Sequence, residues 1–405
     1  MGDNLLFDAS FYNDEHEKVL VKSSIGSRLK KIEEDGISIP YSTFLSYAIF
    51  HQQSDDEGYA TFKELQLQLK DYLRAYENTY GVHQGTVFLH RPRAKTQAKP
   101  YTEMGGVGAA LAVASELYGL TEADWQRIPE SGEHTLDFRI GANNSTVVEV
   151  EAKGHAVGNT ANRGNISADA AHIADKKRDQ RLQPIVKSAE FIGLVTHFPT
   201  GPSQRPRVWM LDPEAVDIKI EPSKLRLMKR IYFYWKAIGT ISGSALIPAL
   251  ANRFYAITRS KDYDSLDGLP LLGRTGKRME PSASLRTSKS NVAELDAFGE
   301  VIEVDDGKFF FYGFRHDVVR MLIGQRFSLI REYSNRANEP KEMAFNAVLH
   351  SRNFLEGEGR VKEGTAMRVR SSGKLESTPS GRVFGWVTPN FKEATIVKAA
   401  LLQEE

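Results

Sequence analysis

The residues best suited to chemistry lie in one short run, Thr146-Val-Val-Glu-Val-Glu-Ala-Lys153. Read as a strand, its side chains alternate between two faces. Glu149, Glu151 and Lys153 then share one face, and Val148, Val150 and Ala152 share the other, which can bury. Asp137 precedes a second short apolar run, Phe138–Ile140, so a hairpin could set it beside Glu151. Two converging carboxylates make an oxygen-ligand site for Mg²⁺, which usually keeps several waters and takes one or two protein carboxylates. Such an ion activates a water and neutralises charge developing on a phosphate. Lys153 would orient or deprotonate that water, or hold phosphate oxygens. The plainer reading of the same residues is the exposed charged face of an edge strand, a common protection against aggregation.

The elements around this run must position it. Met104–Tyr118 is rich in small residues and reads as a helix. Leu136–Ile140 and Thr146–Lys153 read as strands joined by the turn residues Gly141-Ala-Asn-Asn-Ser145. Gly154–Asn165 reads as a mobile loop, Ser167–Leu182 as a helix, and Phe191–Phe198 and Arg207–Leu211 as strands. Helix, paired strands, helix and strand make an α/β layered unit.

Asp137, thirteen intervening residues and then Glu151-Ala-Lys153 resembles the signature of the PD-(D/E)XK nuclease superfamily, and the order of elements over about 100–212 is similar to its restriction-endonuclease-like core. The resemblance implies a mixed sheet flanked by helices. It implies a Mg²⁺-dependent phosphodiester hydrolase acting on DNA, with Mn²⁺ as a substitute and RNA not excluded as substrate. Either a restriction enzyme or the nuclease of a prokaryotic defence or repair system would fit. Asp137 and Glu151 would bind metal, and Lys153 would serve the nucleophilic water. Many members add a glutamate from the leading helix; here Glu103 shares a stripe with Val107, Ala110, Ala114 and Leu117. Some place a glutamine after the lysine, and Gln180 could take that place. Lys176, Lys177, Arg178 and Arg181 on the same expected helix become candidate phosphate contacts. Leu136 stands where the family often has proline. Glu149, His155 and His172 flank the site and are read as supporting or surface groups.

Composition narrows the alternatives. With 41% apolar and 26% charged residues the chain is ordinary for a soluble globular protein, and 405 residues suit two or three domains. It contains no cysteine, which excludes thiolate chemistry and disulfides and fits a reducing cytoplasm. No apolar run reaches membrane-spanning length, and Met1–Ser10, with Asp3, Asp8 and no basic cluster, does not read as a signal peptide. The net charge is only +1, so a nucleic-acid partner must be met by local basic patches. Gly273-Arg-Thr-Gly-Lys277 lacks the glycine and the Ser or Thr of a phosphate loop, so no NTP site is expected.

Three regions are expected: a mostly helical N-terminal region over 1–99, with Thr61-Phe-Lys-Glu64 as a capping box; the nuclease-like core over 100–215; and a basic, mixed α+β region over 216–405. In the last, Lys224–Ala237 reads as a basic, aromatic helix and Arg259–Lys289 as a loop or linker. Phe298–Phe314 reads as a hairpin, Val318–Tyr333 as helix and Arg360–Arg382 as polar, turn-rich chain. The outer regions would supply target recognition, homo-oligomerisation or docking to a partner protein. The competing class is a non-catalytic nucleic-acid-binding or assembly subunit that retains the fold.

Overall fold

The computed structural model describes residues 4–50, 61–90, 99–127, 138–157, 166–171, 173, 189–211, 221–242, 245–273, 276, 278–279, 289–335, 338–355, 361–362 and 365–398. The chain divides into two compact units, one formed by Met1–Glu57 and Tyr72–Arg226, the other by Gly58–Asp71 and Leu227–Glu405. Among the described residues no helix is long and apolar enough to cross a membrane.

The first unit is a seven-stranded mixed sheet. Its strands are β1 (Leu5–Phe11), β2 (Ile37–Ile39), β5 (Trp125–Arg127), β6 (Phe138–Ala142), β7 (Val147–Val157), β8 (Ala189–Pro199) and β9 (Arg207–Leu211), in the order β2-β1-β9-β8-β7-β6-β5. β5, β6 and β7 form an antiparallel meander; β8 runs parallel to β7, and β9 antiparallel to β8. β1 pairs in parallel with β9 and antiparallel with β2. Residues that the sequence suggested were part of a helical N-terminal region thus contribute two strands to this sheet. The cause is visible in β1, where Leu5, Phe7, Ala9 and Phe11 are buried at period two and the residues between them are half-buried. A small separate hairpin, β3 (Tyr80–His83) with β4 (Thr86–Leu89), belongs to the same unit.

Helices cover the sheet. They are α1 (Asp14–Leu20), α2 (Gly26–Asp35), α3 (Tyr41–Phe50) and α5 (Lys99–Tyr118), together with the second half of α4 (Phe62–Thr79). α3 is buried from Tyr41 to Ile49, with Ser42, Thr43 and Ser46 as its small polar residues, so it behaves as a core helix. α5 lies against β7 at glycine-on-glycine contact. A Cβ placed on Gly106 would fall 2.4 Å from the Gly154 nitrogen, and one placed on Gly154 would fall 2.0 Å from the Thr102 carbonyl oxygen. Gly154 therefore does not open a loop, as its surroundings in sequence suggested. The strand runs on to Val157, and the glycine is there because nothing larger fits under α5. The β6–β7 turn matches its sequence reading. Asn143 Oδ1 accepts hydrogen bonds from the backbone N–H groups of Ser145 and Thr146 at 2.9 and 2.7 Å, closing the hairpin through an Asx turn.

The second unit is built on a closed six-stranded barrel in the order β10-β11-β12-β15-β14-β13. These strands are β10 (Ser290–Val292), β11 (Ala297–Asp305), β12 (Lys308–Arg315), β13 (Asn338–Leu349), β14 (Thr365–Ser377) and β15 (Arg382–Lys398). Val301, Phe309, Phe311, Phe345, Leu349, Val369, Leu375 and Val383 fill its interior. The expected hairpin over Phe298–Phe314 is β11–β12, turning at Gly307 with φ 67°. The expected helix over Val318–Tyr333 is two helices, α8 (His316–Gly324) and α9 (Phe327–Glu332), broken at Gln325, whose φ is 49°. The basic helix at Lys224–Ala237 is α6 (Pro222–Ile241), followed by α7 (Leu246–Arg259). Arg360–Arg382 differs from its sequence reading: residues from Thr365 to Ser377 form a thirteen-residue strand. Its polar character comes from one face pointing outward, with Val369, Ser371, Gly373 and Leu375 buried beneath.

Candidate active site on strand β7

β7 lies between β6 and β8, in the interior of its sheet. Its two faces differ as the alternation requires. Val148, Val150, Ala152 and Gly154 are buried, and the close approach of Gly154 to Gly106 shows that this face meets α5. Glu149, Glu151, Lys153 and His155 point to the opposite face. The edge-strand explanation of these charges therefore fails: the strand has neighbours on both sides, and Glu149 and Glu151 are 5% and 0% exposed.

Burying a carboxylate is costly unless it is paired and hydrogen-bonded. Glu151 is partnered by Lys153, whose Nζ stands 3.2 Å from Glu151 Oε1 while the lysine side chain remains 18% exposed. The lysine is two residues along the same strand face, so the pairing follows directly from period two. Across the ladder, the residue opposite Glu151 on β6 is Phe138, and that opposite Glu149 is Ile140.

Further along the same face lies a group the sequence reading did not bring together. His155 on β7 is directly opposite His197 on the parallel strand β8, and His197 is opposite Arg207 on β9. His155 Nε2 is 2.8 Å from Asp169 Oδ2, which projects from the helical segment 167–171. The two imidazoles meet at 6.0 Å with their planes at 82°. His197 is 1% exposed, and its Nδ1 accepts a hydrogen bond from Trp209 Nε1 at 3.3 Å. Burial holds the His197 imidazole down at about 4, helped by the neighbouring His155 and Arg207 and opposed by Asp169. At neutral pH it is the uncharged tautomer with its proton on Nε2. Ile166, Ile173, Val195, Trp209 and Leu211 pack the adjoining surface and anchor the helical segment to the sheet.

Of the residues singled out from sequence, the structure brings Glu149, Glu151, Lys153 and His155 onto one strand face. Glu103 lies on α5, which covers the other face of β7, and its side chain is exposed, whereas Ala110, Ala114 and Leu117 of the same stripe are buried. Asp137, His172, Lys176, Lys177, Arg178, Gln180 and Arg181 lie outside the described residues. Among the described residues no three His, Asp or Glu side chains gather in a geometry that would hold a metal ion. The two glutamates on β7 nevertheless offer anionic oxygens, the chemistry that suits a hard divalent cation. His197 was missed because the register of two parallel strands decides its position, and Asp169 because it reaches the strand from a separate helical segment. The parity of His155 and His197 along their strands is a signal, but only once β7 and β8 are known to pair.

No protein-family model, curated protein or solved structure matches this chain.

Proposed function

We propose that this chain is a Mg²⁺-dependent nuclease that hydrolyses phosphodiester bonds in DNA, in the manner of restriction or prokaryotic defence enzymes. The observation that carries the reading is the pair Glu151 and Lys153. A carboxylate is fully buried on an interior strand and is met by a partly exposed lysine at 3.2 Å. Edge protection does not explain it, and burial of this kind is expensive as mere structure. The order of elements supports the same reading: α5, the β5–β6–β7 meander, the helical segment 167–171, then β8 parallel to β7. A leading helix, antiparallel strands ending in the Glu-Ala-Lys run and a parallel strand beyond them are features in common with the order read from the resemblance to the PD-(D/E)XK superfamily.

Glu151, with Glu149 beside it and Asp137 as the remaining candidate, would hold the divalent ion, which supplies charge neutralisation and an acidified water when bound. Lys153 holds the phosphate oxygens or orients the attacking water. Its ammonium already sits at the carboxylate. His155, close to Asp169, stands about 7 Å further along the strand at the next-but-one position. Incubation of supercoiled plasmid, linear duplex, single-stranded DNA and RNA with the purified protein tests the reading. Cleavage with Mg²⁺ or Mn²⁺ that is abolished by EDTA is expected. Binding without cleavage under every metal condition would favour the non-catalytic nucleic-acid-binding class.

A further inference from the structure

The outward face of the barrel carries a row of cations that the candidate site does not use. Arg368, Arg370 and Lys374 of β14 are exposed on one side of the strand, alternating with the buried Val369, Ser371, Gly373 and Leu375. β14 is flanked by β13 and β15 along its whole length, so these charges are not guarding a free edge. Their cross-strand neighbours are mostly uncharged. Asn346 and Asn390 flank Arg370, Ala344 and Thr388 flank Ser372, and Val348 and Thr395 flank Arg368. Glu342, opposite Lys374, is the one acid at these paired positions among the described residues. Glu393, in the bulge of β15, accepts from Asn390 Nδ2 at 2.9 Å. Trp386, half-buried, closes the row beside Lys374.

We infer that the β13–β14–β15 face is a nucleic-acid docking surface. It holds phosphates through Arg368, Arg370 and Lys374 and takes further hydrogen bonds through Asn346, Ser372, Thr388 and Asn390. Alternate residues of a strand repeat at about 7 Å, so Arg368 and Lys374 are about 20 Å apart. That span matches roughly six nucleotide steps at about 3.4 Å each. Linear spacing of cations, interleaved with amides and hydroxyls and ended by an aromatic ring, fits a polyphosphate chain bearing bases. An acidic polypeptide would need the charge but not the interleaved groups. The inference rests on the reading of this chain as a protein that acts on nucleic acid, and it adds where the substrate is held.

The test is equilibrium binding of labelled single-stranded and duplex DNA to the full chain in EDTA, so that cleavage plays no part. Arg368→Gln/Arg370→Gln/Lys374→Gln is compared with the native protein over a salt series. Glutamine preserves side-chain length and packing, and thermal melting verifies the fold. Each lost phosphate contact flattens the slope of log K against log salt by about 0.7–0.9, so a loss of about two units is expected. Affinity at low salt should fall ~10-fold or more, and Arg370→Lys should keep the native slope. An unchanged slope and affinity in the folded triple variant overturns the inference. So does a native protein that binds polyglutamate and not DNA. The two readings fail separately: a native chain that binds DNA through this face yet never cleaves it defeats the nuclease reading alone. A triple variant that binds and cleaves like the native protein defeats only the docking surface.

Discussion

Lys153 Nζ lies 3.2 Å from Glu151 Oε1, and the carboxylate it meets has no exposed surface. The two residues are next-but-one neighbours on β7, so the strand's own geometry delivers the pair without help from a loop. This rigidity distinguishes them from the rest of the candidate site, which is assembled across strands and from the helical segment 167–171. A group that must hold charge in a dry place is best fixed by regular structure.

The contact between Gly106 and Gly154 sets how closely α5 lies on the active strand. Gly154→Ala would put a methyl group 2.0 Å from the Thr102 carbonyl oxygen, and Gly106→Ala would put one 2.4 Å from the Gly154 nitrogen. Both clashes are with backbone and cannot be relieved by a rotamer change. Each variant should lose about 1–3 kcal/mol or more of stability, as overpacked cores do. Chemical denaturation measures it; a variant as stable as the native chain would mean that α5 is not seated on β7 in this way.

His197 gives the first unit a pH dependence of known sign. Its folded value of about 4 lies below the ordinary 6.5. The unfolded chain therefore binds a proton that the folded chain refuses between those limits, and stability rises with pH across that window. The contribution is complete above about 6.5 and is lost as pH falls to about 4, about 3 kcal/mol in all at 1.36 kcal/mol per unit. Denaturant unfolding of native protein and His197→Gln from pH 4 to 7 reads the difference. The variant should lose less stability than the native chain on acidification. Parallel curves would show that His197 is not buried as the neutral form.

In the barrel, Glu300 is fully buried between Lys289 Nζ at 2.5 Å and Arg352 Nη2 at 2.6 Å, with Asn353 Nδ2 at 3.0 Å. Burial pushes this carboxyl up, but Lys289 and Arg352 together outweigh it and hold it below the ordinary range. Removing Glu300 should cost about 3–5 kcal/mol, because the buried Lys289 ammonium then loses its partner. Glu300→Leu should therefore be more damaging than the Glu300→Leu/Lys289→Met double variant, and Lys289→Met alone should cost less, because Arg352 and Asn353 still hold Glu300. Additive losses in a double-mutant cycle would contradict that coupling.

How much of this was legible depends on the range of the interaction. The shared face of Glu149, Glu151 and Lys153 follows from alternation alone, and the turn at Asn143 from its run of turn-forming residues. The burial of β1 can be read in Leu5, Phe7, Ala9 and Phe11, but its place beside β9 cannot, because parallel pairing across a long separation leaves no local mark. Gly154 misleads because a glycine that makes room for a helix looks the same in sequence as one that opens a loop. The row Arg368, Arg370 and Lys374 reads as polar chain until alternate burial shows it to be a strand. The meeting of His155 and His197 needs a register that no residue encodes by itself.

The most direct measurement of the central claim is plasmid cleavage rate and divalent-metal affinity for Glu151→Ala, Lys153→Ala and Glu149→Ala, each with folding verified by thermal melting. Glu151→Ala should lose both metal affinity and cleavage. Lys153→Ala should still bind metal, since the carboxylates remain and a nearby positive charge is gone. Its cleavage should nevertheless fall about 10²–10⁴-fold, the usual worth of a positioned proton-transfer group. Glu149→Ala should cost much less. A folded Lys153→Ala protein that cuts as fast as the native chain would contradict the account and remove β7 from the chemistry.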